Sequence, residues 1–198
     1  MLSSFSSAKS LVLSLTAAAA LLAGASQANA ATYAIDPSHT FATFEIGHNG
    51  TSTNRGRFDR KEGKIQFDRA AKTGSVEITL DIASINTGTA AFDKHLQSPD
   101  LFNAAQFPTA KFVSTGMTFT GDKVTEVAGN LTLLGKTNPV TLKATQFNCY
   151  DHRMLKREVC GGDFEANIDR SLFGMDFGIN FGVPKNVRLA IQVEAIKQ

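Results

Sequence analysis

From Thr40 onward, apolar and polar residues alternate with period two rather than 3.6. In TFATFEIGH the set Ala42, Phe44, Ile46 alternates with Thr43, Glu45, Gly47, and in SVEITLDI the set Val76, Ile78, Leu80, Ile82 alternates with Glu77, Thr79, Asp81. The same rhythm recurs in GKIQFD, AGNLTLLG, PVTLKA, DFEANID and VRLAIQVEAI. Turn signals separate these runs at Glu62-Gly63, Thr73-Gly74, Gly121-Asp122 and Gly135-Lys136. The pattern predicts about eight strands, each with one wet face, in antiparallel up-and-down order, which is a barrel or a sandwich.

Residues 88–106 break the rhythm. Ala90, Ala91, Lys94, Leu96 and Gln97 tolerate a helix, and Ser98-Pro99-Asp100 resembles the start of a second short turn. One helical excursion is therefore expected in an otherwise all-β chain. The region is also where polar and aromatic side chains crowd together, in DKHLQSPDLFNAAQFPTAKF.

The first thirty residues follow other rules. Lys9 precedes an apolar run from Leu11 to Ala23, and Ala28-Asn29-Ala30 has the small-x-small pattern that signal peptidase accepts. The run falls short of the roughly 20 apolar residues a transmembrane helix needs. The expectation is a signal peptide over 1–30, no transmembrane anchor, and one exported domain over 31–198. Lys9 is the only charged residue in that segment, so the remainder carries 19 basic against 18 acidic residues, a net charge of +1. With no basic cluster along the chain, nothing points to nucleic acid or to an anionic membrane surface. In an oxidising compartment Cys149 and Cys160, in NCYDHRMLKREVCGG, are expected to form a disulfide across an exposed, charged loop.

Catalytic signatures are sparse. His95 has Asp93 and Asp100 nearby, but residues two apart on a helix do not share a face, so a His/Asp couple from this segment alone is disfavoured. Histidines 39, 48, 95 and 152 show no metal-binding spacing, and no GxSxG motif is present. Asp176-Phe177-Gly178 spells a kinase motif without the rest of the kinase set. The run IDRSLFGMDFGINFGVPK places Gly174, Gly178 and Gly182 among Phe173, Phe177 and Phe181; it reads equally as a mobile aromatic flap over a cavity or as an edge loop packed on the core.

Three stretches, taken in order, resemble the YceI-like, polyisoprenoid-binding family of exported bacterial proteins. They are Asp36-Pro37-Ser38-His39-Thr40 with Phe44 and His48; FDKHLQSPDLFNAAQFPTAKF; and GNLTLLGKTNPVTL followed by IDRSLFGM. The resemblance implies a lipocalin-like antiparallel β-barrel with an inserted helical segment, an apolar tunnel for an isoprenoid lipid such as a quinone, and no catalytic residue, metal or other cofactor. If the more apolar strand faces point inward, Phe44, Ile46, Phe67, Ile78, Leu131, Leu142, Ile168 and Ile191 line the tunnel, with His95, Phe92, Phe102 and Phe173 at its mouth. Such a protein would act in the periplasm as a carrier, touching membranes transiently, and homodimerisation is compatible with the family. The alternative is an enzyme acting on a lipid or quinone through His95 with Asp93 or Asp100. One departure stands out: Leu134 occupies a place where many members carry His, which leaves the head-group preference open.

Overall fold

The computed structural model describes residues 30–198, so the predicted signal segment lies, apart from Ala30, outside the described residues. Its strands are β1 (Ala31–Ile35), β2 (Phe41–His48), β3 (Ser52–Phe58), β4 (Lys61–Asp68), β5 (Thr73–Asp81), β6 (Ile85–Asn86), β7 (Thr109–Thr120), β8 (Lys123–Leu133), β9 (Lys136–His152), β10 (Arg157–Asp169) and β11 (Asn186–Lys197). A single α-helix among the described residues, α1 (Ala90–Leu96), lies in the expected insertion. All eleven strands belong to one antiparallel sheet.

Three pairs of strands run in line, which reconciles eleven strands with the eight expected. The C-terminal half of β11 pairs with β1 and its N-terminal half with β2, so β1 and β2 form one kinked stave. β4 and β3 pair with them in turn, and β5 and β6 follow in the same way. Counted as staves, the chain makes a closed eight-stranded up-and-down barrel in which each stave neighbours the next in sequence and β11 closes onto β1. Closure through β1 and β11 leaves only short edges at the helix end, on β6 and the start of β3.

Three stretches enter this sheet without the alternation that marks the others. β3, STNRGRF, puts Asn54 and Gly56 where an apolar residue would be expected. Gly56 is needed there because a Cβ would sit 2.4 Å from the Phe44 ring. β7 loses its rhythm at register shifts by Ser114/Gly116 and Thr118/Phe119, where bulges move side chains to the other face. β1 is five residues long and shows too little of the pattern to be read.

Ser98-Pro99-Asp100 opens a short turn as expected, with Leu101 and Asn103 donating to the Ser98 carbonyl in a succession of turns. One further expectation needs correction. The segment between the cysteines is not mainly loop: β9 and β10 run through Cys149 and Cys160, which are bonded directly across the ladder, and only residues 153–156 form the turn.

Up-and-down order sorts the interior into two clusters. At one end, here the helix end, Phe44, Phe58, Leu96, Ile168, Phe173 and Met175 pack under the insertion. At the other, the disulfide end, Tyr33, Phe67, Val124, Val127 and Phe164 pack beside Cys160. No helix among the described residues is long and apolar enough to cross a membrane.

Candidate functional site: an apolar tunnel

Between the two clusters the barrel is hollow. A cavity of about 420 Å³ runs from Phe147 and Met117 at the disulfide end to Phe92, Phe177 and Val183 at the helix end. All eight positions expected on the inward face line it. Alternation explains why: once Phe44 faces in on β2, Ala42 and Ile46 must do so too, and the same parity holds across each paired stave.

An eight-stranded barrel can fill with side chains or remain open. Here glycine keeps it open. Ile78 on β5 lies across Gly63 on β4, where a Cβ would fall 2.2 Å from the isoleucine terminal methyl, and the Phe112 ring covers Gly129, where a Cβ would fall 2.4 Å away. Large side chains therefore lie flat along the wall instead of meeting in the middle. Ile78, Leu131, Leu142 and Ile191 all stay only partly buried although they face inward, because the bore itself is accessible.

The helix end is built around aromatics from the insertion. Phe102 packs on Phe58 at 5.7 Å and on Phe44 at 6.4 Å between ring centroids, capping the bore. Phe92 and His95 line the cavity from α1, and the His95 ring meets Phe177 edge-on at 5.2 Å. Phe173 does not lie at the mouth. It is 1% exposed and belongs to the core, because the 3-10 turn Arg170–Phe173 rotates Leu172 outward and Phe173 inward.

Arg170 organises the glycine-punctuated loop. The residue is 3% exposed and has no carboxylate within salt-bridge reach among the described residues; instead Nε donates to the Pro184 carbonyl at 2.9 Å, and the terminal nitrogens donate to the Met175 carbonyl at 2.7 Å and the Phe177 carbonyl at 2.9 Å. Burial pulls its pKa down from the arginine range without neutralising it. The loop is thus a tethered edge packed on the core, with Phe177 left 49% exposed at the rim. Gly178 and Gly182 bound its second 3-10 turn at φ of +75° and +90°, a backbone that L side chains rarely adopt. Arg170 adjoined the aromatic run in the sequence, but nothing there indicated that its partners would be carbonyls.

The acid/base candidates are not assembled. The Asp93 carboxylate accepts from the Thr87 amide and hydroxyl, both at 2.7 Å, which holds the start of the insertion rather than His95. Asp100 is exposed in the following turns. Asp36 and His39 do meet, at 2.8 Å, in the kink between β1 and β2. That bond, with the Ser38 hydroxyl and amide, holds the Asp36 carboxyl down to about 2. The pair belongs to a surface turn outside the cavity lining. Cys149, Glu158 and Cys160 cluster closely, but both sulfurs are consumed by the disulfide, which leaves no thiolate for a metal. Leu134 opens the β8–β9 turn at φ +52° and packs on the helix-end core; it is not part of the cavity lining.

Known proteins share this architecture. The family model for a YceI-like domain matches residues 33–195. A UPF0312 protein of Shewanella denitrificans is 38% identical over 198 residues, covering 96% of this chain and 99% of its own length. Among solved structures, the Campylobacter jejuni YCEI protein superposes with a TM-score of 0.67 at 26% identity, covering 77% of this chain and 90% of its own. A polyisoprenoid binding domain from Saccharophagus degradans shares the fold, with a TM-score of 0.60 at 15% identity, covering 84% of this chain and 98% of its own.

Proposed function

The chain belongs to the YceI-like family, and on that premise we propose that it is a non-enzymatic binding protein for an isoprenoid lipid such as a quinone, exported to the periplasm after removal of residues 1–30. The observation that carries this reading is the apolar bore of about 420 Å³ kept open by wall glycines. It is within the size range of small-molecule sites and has the apolar lining such sites use. The binding named for the Saccharophagus domain of the same fold supports the ligand class.

Energetics favour carriage over storage. Each methylene-sized group moved from water is worth about 0.8 kcal/mol, so a chain of several isoprene units would nominally exceed the affinity ceiling of roughly 18–21 kcal/mol. The relevant donor is a bilayer, where the chain is already out of water. Transfer into the tunnel is then near balanced, with tail ordering opposing the gain in packing.

The test is organic extraction of natively produced protein followed by mass spectrometry, alongside an Ile78→Asp variant that puts a carboxylate into the bore. Wild type should yield a stoichiometric isoprenoid, and the folded, oxidised Ile78→Asp protein should yield none. An empty wild-type extract counts against the carrier reading; full occupancy in the variant counts against this placement of the tunnel.

A further inference from the structure

Basic residues scattered along the sequence are gathered by the topology. Every turn at the disulfide end carries or adjoins Lys or Arg: Arg69 and Lys72 between β4 and β5, Lys123 at the start of β8, and Arg153 and Lys156 between β9 and β10 with Arg157 at the start of β10. All six are exposed. Four acids lie among them: Asp68 accepts from the Ala71 amide, Glu158 takes the Tyr33 hydroxyl at 2.6 Å and lies 3.6 Å from Arg69, and Asp122 and Asp151 are exposed, which leaves the basic residues in excess. The expectation of no basic cluster considered only neighbours in sequence; the fold brings these residues to one end.

One turn adds apolar groups to that charge. Met154 and Leu155, at the apex between Arg153 and Lys156, are 86% and 46% exposed, and Tyr150 below them is 45% exposed. The apex is held in shape from beneath, by His152 accepting from the Leu155 and Lys156 amides and by the Cys149–Cys160 cross-link.

We propose that the β9–β10 hairpin tip docks the barrel on a bilayer bearing anionic head groups, with Met154 and Leu155 below the phosphates and Arg153, Lys156 and Arg157 level with them. An interfacial anchor needs apolar area to enter the head-group layer and cations to meet its surface charge. An acidic protein surface would satisfy the cations and leave the apolar apex unused, so the lipid surface fits better. The proposal does not depend on what the tunnel holds.

Co-sedimentation of the oxidised protein with vesicles tests it. Binding should be strong to mixed phosphatidylglycerol and phosphatidylcholine, weak to phosphatidylcholine alone, and reduced by salt. Each basic side chain near such a surface is worth about five-fold in partitioning, so Arg153→Gln with Lys156→Gln should weaken binding about thirty-fold. Met154→Ser with Leu155→Ser should weaken it about ten-fold or more, and both variants should melt like wild type because the residues are exposed. Absent or charge-independent binding overturns the proposal. So does retained binding by the double serine variant, which would mark a purely electrostatic contact of the kind an acidic protein makes. Loss on Phe181→Ser but not on the hairpin changes would assign docking to the opposite end.

Discussion

The two ends of the barrel are closed by different means. At the disulfide end the closure is covalent and rigid: Cys149–Cys160 joins opposed residues of β9 and β10, and Phe67 packs with Phe119, Phe147 and Tyr33 at 5.7–6.2 Å between centroids. At the helix end it is non-covalent, made from a seven-residue helix, a series of turns and a glycine-bounded loop that depends on one buried guanidinium. Elements held by few and local bonds open at lower free energy than a cross-linked ladder. Under the proposed function, this difference makes the helix end the expected gate for a ligand and the disulfide end the expected fixed base.

Arg170→Met gives the sharpest test of that contrast. It removes three charge-assisted donors and leaves the Met175, Phe177 and Pro184 carbonyls without them, for an expected cost of about 3–4 kcal/mol. Thermal unfolding should fall by several degrees, and hydrogen exchange should accelerate first over residues 170–185. If exchange rises equally over the β9–β10 hairpin, the two ends do not open separately and the gate assignment is wrong.

Removing the disulfide tests the other end. Cys149→Ala with Cys160→Ala releases a loop of sequence separation 11, which the chain-entropy model values at about 2–3 kcal/mol. Calorimetry should register the loss, while exchange in the Arg170 loop and ligand retention stay close to wild type. Loss of bound lipid in this folded variant would show that the base also acts as a gate.

What could be read from the sequence divides along the same line. Wall positions such as Phe44, Ile78 and Leu131 were legible because parity along a strand fixes which way each side chain points. The in-line pairing of β1 with β2 was not, since Asp36–Thr40 looks like an ordinary turn until β11 is seen to run past it. Gly63 reads in the sequence as a turn signal although it lies inside β4, and Gly129 carries no signal of its own; their role under Ile78 and Phe112 depends on cross-strand register. Phe173 was misplaced because a 3-10 turn has neither strand nor helix parity, and nothing in RSLFGM says which of Leu172 and Phe173 turns inward. The cationic end escaped notice because it comes from three hairpins far apart in the chain.

The smallest expected effect lies between the two ends, at the β1–β2 kink. Asp36 is held well below the usual carboxylate range chiefly by His39, and His39 is raised above the usual imidazole value chiefly by Asp36. A depressed carboxylate adds stability that is present above its unfolded pKa and lost as pH falls toward about 2. A raised imidazole adds stability that is full below its unfolded pKa of about 6.5 and lost as pH rises through the higher folded value. The pair therefore contributes most between about pH 4 and pH 6. His39 is 60% exposed, so salt screens the interaction and the contribution is small. In a titration followed by NMR, His39 should titrate above its ordinary value and return to it in Asp36→Asn. His39→Gln should flatten the shallow loss of thermal stability between neutral and mildly alkaline pH. Because the kink sits on the staves shared by both ends, neither change should alter the order in which they open; if Asp36→Asn loosened the helix end as much as Arg170→Met does, the kink rather than the guanidinium would be the hinge of the gate.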